Sequence, residues 1–246
     1  MRRQLKEEIV IQMVQEKRRK LPRIGSKKLY KMLEGVLNRN GLKIGRDAFI
    51  SILRDNGLFV QKKRHYVKTT NSNHRFRIYD NLIKQKEVTR KDEVYVSDIT
   101  YIKCEDKFCY LALVTDVYSR KIVGYDFSES LSLEGSVRAL KKAISGKQIT
   151  DLIHHSDRGI QYCSQVYINI LKENNIKISM AEKGNPYENA IAERLNGILK
   201  DEFLLSETFK TVQMARKAVE EAIKNYNELR PHMSIGYMTP NEKYAA

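Results

Sequence analysis

The feature that most constrains this chain is a change of pattern near residue 94. Before it, apolar residues recur at helical spacing. Val94-Tyr95-Val96-Ser97-Asp98-Ile99-Thr100-Tyr101-Ile102 is instead dense in β-branched and aromatic residues, the composition of a strand. Glu105-Asp106-Lys107 supplies a turn, Tyr110 to Thr115 forms a second strand and Lys121 to Asp126 a third. Ser132 to Ser145 then reads as a helix through Val137, Leu140 and Ile144, Leu152 to His155 as a fourth strand, Gln165 to Asn174 as a helix and Ile176 to Met180 as a fifth strand. The next helix carries Ile191, Leu195 and Ile198 on one face and Asn189, Glu193, Asn196 and Lys200 on the other. The order β-β-β-α-β-α-β-α predicts an α/β fold: a mixed five-stranded sheet with helices on both faces.

Residues 1–60 are expected to form a small helical domain. Glu8 to Arg18 is one helix, Ser26 N-caps a second, and Arg46 to Asn56 is a third that stops at Gly57. Two short helices joined by the glycine-containing turn at 41–45 fit a helix-turn-helix arrangement, with Lys43 and Arg46 near the start of its second helix. A helical bundle with no nucleic-acid role fits the same pattern. Residues 61–92 form a basic linker in which Lys62, Lys63 and Arg64 interleave with aromatics and can follow a phosphate backbone. Residues 93–206 are expected to make the α/β core. Residues 207–228 continue as a long amphipathic helix, and the tail to Ala246 reads as irregular.

The chain carries 45 Lys+Arg against 30 Asp+Glu, a net charge of +15 over 246 residues. Such an excess favours a polyanionic partner, and nucleic acid is the usual one. No apolar run approaches the roughly 18 residues of a membrane span, and the N-terminus lacks a signal-peptide core. The three cysteines, Cys104, Cys109 and Cys163, match no zinc spacing and are expected as free thiols in a reducing cytoplasm.

Three carboxylates stand out against this basic background. Asp98 lies mid-strand, on the face shared by Val94, Val96, Thr100 and Ile102, where a carboxylate is costly unless paired or bound to a cation. Asp157 ends the fourth strand in His155-Ser156-Asp157-Arg158-Gly159, where ligands gather in α/β sheets. Glu193 follows Asp157 after 35 intervening residues. Each alone has an ordinary reading, as a turn, cap or surface residue. Together they form a hard-oxygen set suited to two Mg²⁺ or Mn²⁺ ions and to phosphoryl transfer.

The motifs in order resemble one family. They are Ser97-Asp98-Ile99-Thr100-Tyr101-Ile102, Asp116-Val117-Tyr118-Ser119-Arg120, His155-Ser156-Asp157-Arg158-Gly159-Ile160-Gln161-Tyr162 and Gly184-Asn185-Pro186-Tyr187-Glu188-Asn189-Ala190 leading to Glu193. Lys200 follows seven residues later, and then come Tyr226-Asn227 and Arg230-Pro231-His232. The chain resembles, over nearly its whole length, the OrfB-type DDE transposases of the insertion-sequence-three family, with a retroviral-integrase-like core. It departs from the usual pattern at Tyr95 for tryptophan, Arg158 for glutamine and Glu188 for aspartate, none of them in the triad.

The resemblance implies an RNase H-like fold and metal-dependent cleavage and joining of DNA at the ends of a mobile element. It makes Asp98, Asp157 and Glu193 the catalytic and metal-binding residues. Lys200, Arg158 and Asn196 are the expected DNA contacts in the core. Partners would be element ends and target DNA, further copies of the chain, and an upstream OrfA-type helix-turn-helix and zipper segment. Asp116 is assigned to capping its turn or pairing with Arg120, and His155 to packing. The alternatives left open are a metal-dependent nuclease that does not join and a catalytically silent DNA-binding regulator.

Overall fold

A computed structural model of the chain describes residues 2–61, 76–182 and 189–246. It begins with three helices, α1 (Arg2–Lys20), α2 (Ser26–Arg39) and α3 (Arg46–Asp55). They pack through Val10 and Val14 of α1, Leu29, Leu33 and Leu37 of α2, and Phe49 and Leu53 of α3, all buried. Each such side chain contributes roughly 1.5–3 kcal/mol on leaving water. The second helix starts one residue earlier than expected. Gly25 occupies the N-cap and Ser26 is already helical, making no side-chain cap bond. Gly57 has a φ of +66° and ends α3, as its position after Asn56 predicts.

The sheet comprises β1 (Val94–Lys103), β2 (Phe108–Asp116), β3 (Ile122–Ser128), β4 (Ile153–Ser156) and β5 (Lys177–Met180), in the order β3-β2-β1-β4-β5. The first three form an antiparallel meander, and β4 and β5 add in parallel beside β1. This is the sense that helical crossovers require. The helices of the core are α4 (Leu133–Ile144), α5 (Ile160–Cys163), α6 (Gln165–Glu173) and α7 (Ala190–Glu202). After it come α8 (Val212–Leu229) and α9 (Pro240–Ala245). The mixed five-stranded sheet flanked by helices is the architecture expected from the sequence.

The C-terminal region and one short helix also depart from expectation. The long C-terminal helix begins at Val212, not residue 207, because Thr211 caps it and Phe209 instead bridges to Cys104 at the end of β1. The tail is not wholly irregular: Thr239 and Glu242 form a capping box around Pro240 and start α9. The one-turn helix α5 has no periodicity in sequence and was not anticipated. Of the basic linker, Lys62, Lys63 and Arg64 lie outside the described residues. Its second half runs along the edge strand β5, where Leu82 N donates to Ser179 Oγ at 2.9 Å and covers an otherwise open edge.

At the opposite edge Asn227 of α8 acts as a strand substitute. Its side-chain oxygen accepts from Ile122 N and its amide donates to Ile122 O, both at 3.0 Å. Between α4 and β3 the approach is so close that a Cβ on Gly124 would lie 2.2 Å from Ala139 O and 2.7 Å from Ala143 N. Glu202, the last residue of α7, joins distant parts of the chain. It accepts from Lys28 Nζ at 2.9 Å and from Arg230 Nε and Nη2 at 2.8 Å each, while its backbone oxygen accepts from Arg23 N at 3.0 Å. Arg230 Nη1 meets His232 Nε2 at 2.8 Å. Among the described residues no helix is long and apolar enough to cross a membrane, and all three cysteines are free and buried.

Two predictions follow from this packing. Gly124→Ala forces α4 off the sheet against backbone atoms and is expected to cost about 1–3 kcal/mol, read as a fall of several degrees in Tm; an unchanged melt would contradict the contact. The second concerns two buried histidines. His154 meets Ser97 Oγ at 2.8 Å and the Tyr167 hydroxyl at 2.9 Å, and burial holds it and His232 down to about 3. Both stay neutral in the folded state while the unfolded chain protonates near 6.5. Stability should therefore be intact above about pH 6.5 and decline as pH falls towards 3. Denaturant unfolding across that range should show a shallower decline for His154→Gln, and identical slopes would refute the assignment.

Candidate active site

The sheet register brings the first two carboxylates together. Ser97 of β1 pairs with Ser156 of β4 in parallel, so Asp98 and Asp157 are the next residues on neighbouring strands. β4 ends at Ser156 and the chain turns at once, with Gly159 N donating to Asp157 Oδ1 at 2.9 Å. A Cβ on Gly159 would come within 3.0 Å of that oxygen, so the glycine lets the turn fold tightly around the carboxylate. Glu193 comes from the first turn of α7, where the helix dipole favours a negative charge. It is exposed.

Two asparagines seven residues apart hold α7 on β1. Asn189 Nδ2 reaches Ser97 O at 3.5 Å, and Asn196 Nδ2 donates to Asp98 Oδ2 at 2.6 Å. Asp98 also accepts from Ile99 N at 2.9 Å. Its carboxyl is nevertheless pushed up to about 7, first by burial, then by the negative charge of Asp157 and, less, of Glu193. The two hydrogen bonds work in the opposite direction. The three carboxylates thus share one electrostatic field. Among the described residues no three His, Cys, Asp or Glu side chains sit close enough to hold a metal ion in this arrangement.

Lys200 faces the same edge. Its ammonium lies 3.8 Å from the centre of the Tyr101 ring on β1, a cation–π contact. Burial lowers its pKa while the charges of Asp98 and Asp201 raise it. The aromatic platform under Lys200 was not anticipated, although Tyr101 stands three residues after Asp98.

Other expected site residues are placed differently. Asn196, an expected DNA contact, is buried and its amide donates to Asp98. Arg158 donates from Nε to Ala181 O at 2.7 Å. Lys43, in the turn between α2 and α3, and Arg46, the first residue of α3, are exposed, and Arg46 pairs with Asp47 at 2.9 Å. Glu188 and the turn before it, residues 183–188, lie outside the described residues. Asp116 is fully buried and caps its turn, accepting from Ser119 N at 2.8 Å and from Asp92 N at 2.9 Å. His155 is buried, with Nδ1 2.8 Å from Ser179 Oγ.

Known proteins share the chain's sequence pattern and fold. Two family models, each described as an integrase core domain, match residues 88–186 and 174–240. The "Insertion element IS600 uncharacterized 31 kDa protein" of Shigella sonnei is 37% identical over 86% of this chain and 80% of its own length. The "Transposase InsF for insertion sequence IS3A" of Escherichia coli is 30% identical, over 84% and 73% respectively. The HTLV-2 integrase catalytic core domain, solved with magnesium, superposes with a TM-score of 0.51 at 19% identity, covering 63% of this chain and 97% of that one. The simian T-cell lymphotropic virus intasome gives 0.55 at 17% identity, over 90% and 75%. With the RNase H-like core in place, and Asp98 in the middle of β1 beside Asp157 just past the end of β4, the chain belongs to the IS3-type DDE transposases of bacterial insertion sequences.

Proposed function

We propose that Asp98, Asp157 and Glu193 are the catalytic carboxylates of this transposase, and that it cuts and then joins DNA strands at the ends of a mobile element. The observation that carries the reading is geometric: the Ser97–Ser156 pairing sets Asp98 beside Asp157, and Asn196, one turn after Glu193 on α7, donates to Asp98 at 2.6 Å. The donor set is all carboxylate, beside the Asn196 amide and without thiolate or imidazole, and it suits Mg²⁺ or Mn²⁺. Two such ions, when bound by Asp98, Asp157 and Glu193, supply Lewis acidity to the attacking and leaving oxygens of a phosphodiester.

The chain's own side chains do the positioning. Asn196 fixes the orientation of Asp98. Lys200, steadied over Tyr101, offers a point charge to a phosphate near the reacting end. Arg158, beside Asp157, together with Lys43, Arg46, Lys62, Lys63 and Arg64, supplies further positive charge for the DNA backbone. The functional unit on DNA is an oligomer of this chain, joined by an upstream OrfA-type helix-turn-helix and zipper segment.

The test uses DNA carrying the element's ends, a target plasmid and Mg²⁺ or Mn²⁺. Glu193→Gln should lower both cleavage and joining by at least about 100-fold, beyond the 10–100-fold typical of residues that only support a ligand, while DNA binding persists. Equal activity in both proteins would remove Glu193 from the site. Asn196→Ala should lose roughly 10–100-fold by freeing Asp98. Cleavage without any joined product in the wild type would identify a nuclease instead.

A further inference from the structure

Helix α7 has a second working flank. Glu193, Asn196 and Lys200 look towards Asp98 on one side; Arg194 lines a recess of about 360 Å³ on the other. Thr115 lines the same recess and pairs across the sheet with Val96, two residues before Asp98 on the same face. Lys28 of α2, Arg120 after β2 and Arg230 after α8 also border it. An adjoining recess shares Arg120 and Ser234 and adds Lys243. No aspartate or glutamate lines either recess among the described residues.

Two features mark this trough as built for a ligand. Thr115 is 1% exposed, and its hydroxyl has no hydrogen-bond partner among the described residues. Arg120 Nη1 is likewise buried without one. Leaving a buried polar group unsatisfied costs about 1–3 kcal/mol, and more for a charged one. Both can donate, and both border the same space. Glu202 accounts for one charge against the two of Lys28 and Arg230. Arg120 and Arg194 have no carboxylate within ion-pair distance among the described residues. A group with several acceptor oxygens and negative charge satisfies all of these at once.

We propose that the trough binds a phosphate group, supplied either by the backbone of a DNA strand lying across α7 or by a free oxyanion. A strand held there would be gripped on the flank of α7 opposite the carboxylates. The site would then anchor DNA away from the reacting phosphate. The DNA source rests on the function proposed above; the phosphate chemistry does not.

The test uses the full chain in EDTA, so that catalysis plays no part. Binding of a labelled 30-base-pair duplex is measured by anisotropy at a series of KCl concentrations. Arg194→Gln, at an exposed position that should not disturb folding, is expected to reduce the slope of log affinity against log salt by about 0.9, one phosphate's worth. Thr115→Val should weaken binding while leaving the slope, since it removes a donor but no charge. Lys141→Gln on the outer face of α4 is the control and should change nothing.

In a second arm, inorganic pyrophosphate should raise the Tm of the wild type but not of Thr115→Val if the ligand is a free oxyanion. A slope change without pyrophosphate stabilisation assigns the DNA backbone. Stabilisation without a slope change assigns the free oxyanion. Neither effect, or an equal slope change in the Lys141→Gln control without the pyrophosphate response, overturns the site. Glu193→Gln should leave the slope unchanged, so failure of the carboxylate triad and failure of the trough are read separately.

Discussion

The arrangement of this protein turns on how one carboxylate is tolerated in the middle of its central strand. Asp98 sits where burial, Asp157 and Glu193 all disfavour its charge. Among the described residues, the Ile99 N–H and the Asn196 amide favour it through direct hydrogen bonds. Like charges brought together in a partly dry site cost several kcal/mol unless something compensates. The fold meets this by placing α7 across β1 with two asparagines facing the strand, and by bringing Lys200 to the same edge. The position of α7 therefore serves the core and the carboxylates together, and neither requirement can be relaxed alone.

A second constraint gathers parts of the chain that lie far apart in sequence. Glu202 at the end of α7 holds Lys28 from the N-terminal helices and Arg230 from the C-terminal tail. Arg230 is 2% exposed, so its bidentate pair with Glu202 forms almost out of water. Removing one partner of such a pair leaves a buried charge uncompensated, typically at a cost of 3–5 kcal/mol. The tail is tied down again where the Tyr244 hydroxyl donates to Asp92 at 2.7 Å and its ring lies 4.5 Å from Lys121 Nζ. The helix carrying Glu193 is thus braced at its far end by α2 and by the segment after α8. That bracing also creates the basic trough beside it.

Much of the fold was legible because its signals are local. The β-rich run from Val94, the turn at Glu105–Lys107 and the apolar spacing of α4, α6, α7 and α8 depend only on neighbours a few residues away. What escaped was set by distant partners or by single caps. Phe209 has helical company in sequence, yet it pairs with the end of β1 because Thr211 caps the helix after it. The one-turn helix α5 is too short to show a period. Thr239, Pro240 and Glu242 did spell a capping box, a signal present in the sequence but passed over in a proline-containing tail.

The same division runs through the site. The sequence alone determined which residue types are available and where they stand along the chain: an aspartate in a strand, another at a strand end, a glutamate and a lysine on one helical face, and an excess of positive charge. These follow from composition, strand alternation and helical period. Tertiary structure alone decided which of them meet. The parallel pairing of Ser97 with Ser156 sets Asp98 beside Asp157, and the seating of α7 directs the Asn196 amide to Asp98. It also placed Tyr101 under Lys200 and set Thr115 and Arg120 along a basic recess. Contacts between residues about a hundred positions apart depend on how helices and sheet pack, and local sequence pattern carries no record of that.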